Sequence, residues 1–210
     1  GRVKELEEST FEYCIRLETI TLPESLETID SDVFYYCSKL SSISIPASVK
    51  SINGNAFKGC QDLSSIQLAK GNKVYNSGSN NDAIFRGTSL ILATNNTVIP
   101  AGTTSIEKNA YDNCTSLKTL NIPRSMRNIL SNFSSCTELE TITVDKANAT
   151  YDSRNDCNAL ISTADSKLIK GCKNTVIPED TKCIGSMAFT NCPIKSVTIP
   201  STVVKIEPGA

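Results

Sequence analysis

The sequence predicts a mostly β protein, a solenoid of stacked coils of 22 or 23 residues. Two observations carry that prediction. The phrase Cys-x-x-Leu-x-x-Ile-x-Ile-Pro returns along the chain at a fixed interval. It reads CIRLETITLP from Cys14, CSKLSSISIP from Cys37, CQDLSSIQLA from Cys60, CTSLKTLNIP from Cys114, CTELETITVD from Cys136 and, one residue shorter, CPIKSVTIP from Cys192. In addition, no window of 11 residues or more keeps an uninterrupted helical period. Self-similarity at a period of roughly 20–50 residues marks units that bury their apolar faces against each other. A side chain that recurs once per coil is therefore a rung of a continuous core before it is a candidate for chemistry.

Each regular coil opens at Pro, with apolar residues three and six positions later: Leu26 and Ile29, Val49 and Ile52, Met126 and Ile129, Val203 and Ile206. This stretch predicts a weak row of short strands on one side. A small residue and an aromatic follow, as in Val33-Phe34, Ala56-Phe57, Ala110-Tyr111 and Ala188-Phe189, with Thr10-Phe11 in the first, partial coil. One coil has lost a residue here and keeps Phe133 alone. These aromatics are expected to stack as a spine. Polar residues surround them, as in SDVFYYCSK, so the segments read as turns or short 3₁₀ pieces. Next comes Cys, expected to form a ladder of small, buried, weakly donating thiols. Coils stacked about 4.8 Å apart permit ladder disulfides and require none. The closing Leu-x-x-Ile-x-Ile is β-branched and alternating, so it reads as a strand of a parallel sheet on the other side.

Two coils are longer, 69–99 and 145–177, yet both end in Thr-Val-Ile-Pro. Aligned, they share Asn72 with Asn148, Tyr75 with Tyr151, Ser77 with Ser153, Ala83 with Ala159 and Leu90-Ile91 with Leu168-Ile169. Each holds two short apolar runs around a polar turn, which reads as a β-hairpin. Counting both Thr-Val-Ile-Pro segments, eight strands are expected in the main sheet. The second long coil has Cys157 and Cys172 where the first has Asn81 and Thr94, which marks Cys157–Cys172 as the pair placed for a disulfide across the hairpin.

Composition removes several function classes. The 210 residues carry a net charge of −1 with no His and no Trp, and no basic block could neutralise a phosphate backbone, so nucleic acid is not an expected partner. The apolar runs, such as Ser89–Ala93, fall far short of the roughly 20 residues of a membrane span. With no His and no Cys-x-x-Cys there is no zinc pattern, and neither metal nor cofactor is expected. The chain opens inside a repeat and stops at Ala210 within another, so we expect one solenoid domain over 1–210 that is a fragment of, or one domain in, a longer protein. Any targeting segment is then expected to lie outside this chain.

The full pattern, Pro-x-Ser-Val-x-x-Ile-x-x-x-Ala-Phe-x-x-Cys-x-x-Leu-x-x-Ile-x-Ile-Pro, resembles the BspA-like leucine-rich repeat family in register over the whole chain. The segments YNSGSNNDAIF and YDSRNDCNALI also look like the interrupted repeats of family members from gut and oral anaerobic bacteria. The resemblance implies a curved leucine-rich-repeat solenoid, exported or attached to a bacterial surface. It further implies adhesion to host proteins or to other cells. It brings no catalytic motif, and fold alone does not fix function.

Two surfaces escape the core. Outward positions of the main sheet are small and polar: Thr19, Thr21, Ser42, Ser44, Ser65, Gln67, Thr119, Asn121, Thr141, Thr143, Ser196 and Thr198. Such a rank could read a glycan or a polar protein surface, or it could serve only cross-strand pairing and solubility. The second surface is aromatic. Tyr13 and Tyr36 both precede the ladder Cys, with Tyr35 beside them, whereas Gly59, Asn113, Ser135 and Asn191 hold that position elsewhere. Sequons at Asn95, Asn113, Asn132 and Asn148 are expected by chance in so Asn- and Ser-rich a chain. The reading is a non-catalytic module that binds a host or bacterial surface protein or a glycan. The alternative is a spacer that projects another domain. An enzyme would have to work with carboxylates, Lys or Tyr. The one loose acidic cluster, Asp145, Asp152 and Asp156, lacks calcium-loop spacing and reads as a solvated face.

Overall fold

The computed structural model describes residues 2–77, 82–131 and 133–210; Asn81 and the Asn132 sequon lie outside them. Regular structure among these residues is β, apart from one 3₁₀ turn at Arg154–Asp156. Strands repeat at 22 or 23 residues, as Thr119 facing Thr141 and Ser42 facing Ser65 show, so the fold is a β-solenoid. Two compact units can be distinguished, Gly1–Val98 with Ile106–Cys114 and Ile99–Ser105 with Thr115–Ala210.

In the first unit Ser42–Ile45 and Ser65–Leu68 pair in parallel. Alternation puts Ile43, Ile45 and Ile66 inside and leaves Ser44 and Gln67 exposed. The weak row appears as Glu5–Leu6, Thr28–Ile29 and Ser51–Ile52, also parallel. Between the rows runs the aromatic spine. Phe11 stacks on Phe34 at 5.6 Å between ring centroids, and Phe34 on Phe57 at 5.2 Å. Thiols then stitch coil to coil: Cys37 Sγ donates to the carbonyl of Phe11 and Cys60 Sγ to that of Phe34, each at 3.1 Å. Cys14 was expected to be buried with them and is exposed, because it lies on the outermost coil. Phe11 and Phe189, the outermost aromatics, are likewise only half-buried.

Both long coils form the expected hairpins, Ala83–Arg86 with Ser89–Ala93 and Ala159–Ser162 with Lys167–Gly171, all antiparallel. A third short strand, Asn76–Ser77 in one and Tyr151–Asp152 in the other, extends each hairpin and was not anticipated. The shared Asn and Tyr dock these coils. Asn72 Nδ2 donates to the carbonyls of Pro46 and Val49 while its Oδ1 accepts from the amides of Val74 and Tyr75. Asn148 repeats the same four bonds with Pro123, Met126, Thr150 and Tyr151. The Tyr75 hydroxyl accepts the Ile52 amide, and the Tyr151 hydroxyl that of Ile129. Buried amides left open by the change of coil length thereby find partners. Their burial also explains the sequons: Asn113 and Asn148 are structural side chains inside the fold.

The second unit pairs Thr119–Ile122 with Thr141–Val144 in parallel. The last hairpin strand continues the weak row, Lys167-Leu168 pairing with Cys183–Ile184 and that with Lys205–Ile206. Of the eight expected main-sheet strands, these four are regular ones. Thr97–Pro100 and Thr175–Pro178 are not strands; their threonines, at the inward position, bond the backbone of the hairpins. Thr97 Oγ1 donates to the Asp82 carbonyl and accepts the Thr94 amide; Thr175 Oγ1 donates to the Asn158 carbonyl and accepts the Cys172 amide. Thr19, Thr21, Ser196 and Thr198 also lie outside regular strands. The coil beside Ser196 and Thr198 is Thr175–Ile177, which has given up its ladder.

Candidate functional site

The position before the ladder Cys takes a left-handed backbone in four of the six coils, and not at Asn113 or Ser135. At Gly59 its φ is 85° and at Asn191 55°, the left-handed region that those two residue types tolerate. Tyr13 and Tyr36 occupy the same position at φ 56° and 54°. A bulky L-residue pays on the order of 1–3 kcal/mol for that backbone, so the surroundings must hold it there. They do: the Tyr13 amide donates to the Tyr35 carbonyl and the Tyr36 amide to the Lys58 carbonyl, each at 2.8 Å.

The side chains make a ledge. Tyr13 and Tyr36 stack at 5.6 Å with planes 21° apart, and Tyr35 meets them edge-on at 5.7 and 4.7 Å. Beyond Tyr36 lies Gly59, where a Cβ would fall 2.9 Å from Cδ2 of the ring; the glycine is needed for its φ and for this approach. Asn113 Oδ1 fixes that floor by accepting the amides of Gly59 and Cys60. Tyr13 nonetheless stays 59 % exposed and Tyr36 41 %. The Tyr13 phenol is held above its ordinary value by partial desolvation, then by Tyr35, Glu12 and Tyr36, which places the Glu12 carboxylate within its field.

The hydroxyl rank is divided between the units. Ser44 and Gln67 are exposed in the first, with Ser42 and Ser65 half-buried; Thr119, Asn121 and Thr143 are exposed in the second, with Thr141 half-buried. Thr143 Oγ1 donates to Asn121 Oδ1 at 2.6 Å, so part of the rank is spent on cross-strand pairing.

Cys157 and Cys172 are buried as free thiols. They point to different acceptors: Cys172 Sγ to the carbonyls of Glu140 and Asn158 at 3.1 Å, Cys157 Sγ to that of Ala159 at 3.9 Å. The acidic cluster named from the sequence proves to line a cavity that its spacing did not show, and one buried lysine was missed. Asp145, Asp152 and Asp156 line one open cavity of about 530 Å³. Its charge is largely spent internally, since Arg154 grips Asp152 through Nε and Nη2 and reaches Asp180 and Ser166 through Nη1. Lys170 is buried where the first long coil has Leu92, its amine pushed below the ordinary lysine value by burial and bonded to the Thr190 carbonyl. The long-coil alignment held that signal, as a charge facing an apolar residue at the same register.

This arrangement is a repeat scaffold of the leucine-rich class, with core rungs inside and side chains of free choice outside. The profile of the BspA type leucine rich repeat region matches residues 1–94 and 81–210, in six copies. The chain belongs to the BspA-type leucine-rich repeat family. Among solved structures it is similar to a leucine-rich repeat protein from Eubacterium ventriosum, with 21% identity and a TM-score of 0.60 over 99% of this chain and 56% of that one. A leucine rich cell surface protein from Faecalibacterium prausnitzii matches at 22% identity and a TM-score of 0.57, over 99% and 58%. The pneumococcal vaccine antigen PcpA matches at 22% identity and a TM-score of 0.50, over 89% and 40%. The chain thus spans little more than half the length of the first two. At these identities the likeness concerns the fold. No curated protein matches the chain. No helix among the described residues is long and apolar enough to cross a membrane.

Proposed function

We propose that this chain is a non-catalytic binding module, exposed on a bacterial surface, that meets a protein or glycan partner through the Tyr13–Tyr35–Tyr36 ledge. One observation carries the reading. Tyr36, on an inner coil, stands on a left-handed backbone that costs stability, at a position where Gly59 and Asn191 serve the fold, and it stays 41 % exposed with Tyr13 and Tyr35 packed against it. Neither burial nor backbone preference accounts for it, and exposed Tyr is enriched where proteins meet partners. Surface display is supported by the Faecalibacterium cell surface protein with the same fold. A pure spacer would give these tyrosines no task.

The test compares two folded variants. Tyr13→Asn with Tyr36→Asn installs the residue that position 191 already carries at the same φ. Thr141→Lys with Thr143→Lys changes the sheet face instead. Both are assayed beside the parent on host matrix proteins and on a glycan array. We expect the tyrosine variant to lose about 1–2 kcal/mol or more of binding, roughly tenfold, while the sheet variant keeps it. A partner held by the tyrosine variant as tightly as by the parent would remove the ledge from consideration.

A further inference from the structure

We propose that a cavity within the first unit binds an acidic sugar, a hexuronate, with Arg86 holding its carboxylate and Glu107 accepting its hydroxyls. The site is separate from the tyrosine ledge and does not depend on it. The cavity encloses about 310 Å³ between the turn after Ser51–Ile52, the tip of the first hairpin and the turn at Glu107–Asn109. That volume suits one small ligand. Its lining runs from Ile52 to Asn109, so none of it belongs to the first or the last coil of the chain.

The fold does not need the guanidinium that lines it. Arg86 lies over the Tyr75 ring with Cζ 5.2 Å from the centroid, and its Nη2 donates to the Tyr75 hydroxyl at 2.8 Å. In the second long coil the matching residues are Tyr151 and Ser162, and the Tyr151 hydroxyl still accepts the Ile129 amide. The dock therefore closes without an arginine. What Arg86 gains from the buried Tyr75 is a fixed direction, by contact with the ring face and by the hydrogen bond. No ion pair among the described residues engages Arg86. A guanidinium held in place without a counter-ion presents a planar fork that matches a carboxylate.

The rest of the lining selects among anions. Lys108 is exposed and adds a second positive charge; Asp112 lies in its field but contacts Lys58, at 3.9 Å. Glu107 is half-buried in the same lining, and no ion pair among the described residues engages it. Two positive groups against one negative group favour a monoanion over a phosphate dianion. A carboxylate beside an anion site also calls for a ligand that brings donors, and sugar hydroxyls are donors. Ile52 and Ile91 supply apolar surface for the C–H face of a pyranose ring. Gly54 leaves the floor clear, where other coils carry Ser31, Lys108 or Ser186. One negative charge, several hydroxyls and an apolar ring face together describe a hexuronate.

The experiment follows backbone amide NMR shifts of the whole chain as galacturonate, galactose, acetate or tetra-glutamate is added. Galacturonate should shift the amides of Ile52, Gly54, Arg86 and Glu107–Asn109 saturably, and bind roughly tenfold or more tightly than the other three. Equal binding of galactose would remove the carboxylate from the argument, and equal binding of acetate would remove the hydroxyls. Equal binding of tetra-glutamate would make the partner an acidic protein segment and overturn the sugar. Arg86→Ser installs the residue that the second hairpin carries at 162, so the urea midpoint should hold while galacturonate affinity falls about tenfold. Arg86→Lys keeps the charge and should still lose about threefold, because an ammonium does not engage both oxygens in parallel. Glu107→Gln should narrow the preference for galacturonate over acetate, and an unchanged preference would overturn the role given to Glu107. Parental affinity in Arg86→Ser, or no saturable shift of the parent by galacturonate, overturns the site. Loss of galacturonate by Tyr13→Asn with Tyr36→Asn would place the sugar on the ledge instead.

Discussion

The thiol of Cys60 donates to the main-chain carbonyl of Phe34 at 3.1 Å, one coil below it. Cys37 repeats the contact with Phe11, so the cysteine ladder is a ladder of sulfur-to-carbonyl bonds and the thiols are structural. Burial pushes Cys37 up to about 11 and Cys60 up to about 12, far from the thiolate that a nucleophile or a disulfide exchange requires. In native protein at neutral pH, Cys14 should react with a thiol reagent quickly, and Cys37, Cys60, Cys114, Cys136, Cys157 and Cys172 slowly. After denaturation without reductant we expect nine thiols. Seven would show one disulfide, and peptide mapping would then show whether it joins Cys157 and Cys172.

The spine makes the next prediction. Phe57 is 2 % exposed and stacks on Phe34, so Phe57→Ala opens a cavity between ordered coils. The loss should be roughly 3–5 kcal/mol, read as a fall in the urea midpoint. A change below about 1 kcal/mol would mean that neighbouring coils close over the gap and the spine carries little.

In the second unit Gly171 and Phe189 are in close contact. A Cβ on Gly171 would stand 2.2 Å from Cε1 of the ring. Gly171→Ala should therefore cost about 1–3 kcal/mol through overpacking. Phe189→Leu in the same chain should recover part of that loss, because a shorter side chain vacates the contested space. Gly171→Ala with parental stability would place the ring elsewhere.

Acid should destabilise the fold through two carboxylates in particular. Glu27 accepts from Lys50 and Lys4, and these hold it down at about 2. Glu207 is held at about 2 by Lys167, then by the Ser186 amide and Lys205. Each folded value lies below the ordinary 4.5, so the unfolded chain binds protons first as pH falls. Their contribution is complete above about pH 4.5 and disappears progressively toward pH 2. Melting temperature against pH should fall across that window, and Glu27→Gln should flatten the slope. An unchanged slope in Glu27→Gln would place the acid sensitivity in other groups.

Sequence and structure agree most closely where a residue recurs. Phe34, Phe57, Cys37, Cys60, Leu40 and Ile45 were legible as core because each coil restates the same nearest-neighbour problem. Both hairpins were legible for a similar reason, since the two long coils could be aligned with each other. Prediction was weaker where a polar side chain must choose between solvent and a backbone partner. Thr97 and Thr175 hold the inward register that Ile43 and Leu120 hold in regular coils, yet their hydroxyls there bond the Asp82 and Asn158 carbonyls.

By itself, then, the sequence determined the β-solenoid, its coil length, its aromatic and thiol rungs and the free choice of residue at Tyr13 and Tyr36. Periodicity determines those features because burial must repeat with the coil. Only the tertiary structure decided that Tyr13 and Tyr36 stand on a left-handed backbone and that Gly59 makes room for the ring. It also decided that Lys170 is buried opposite Leu160 and that Asp145 and Asp152 share a cavity. These depend on where backbone amides and carbonyls from different coils meet, a property of three-dimensional register that one-dimensional spacing does not record.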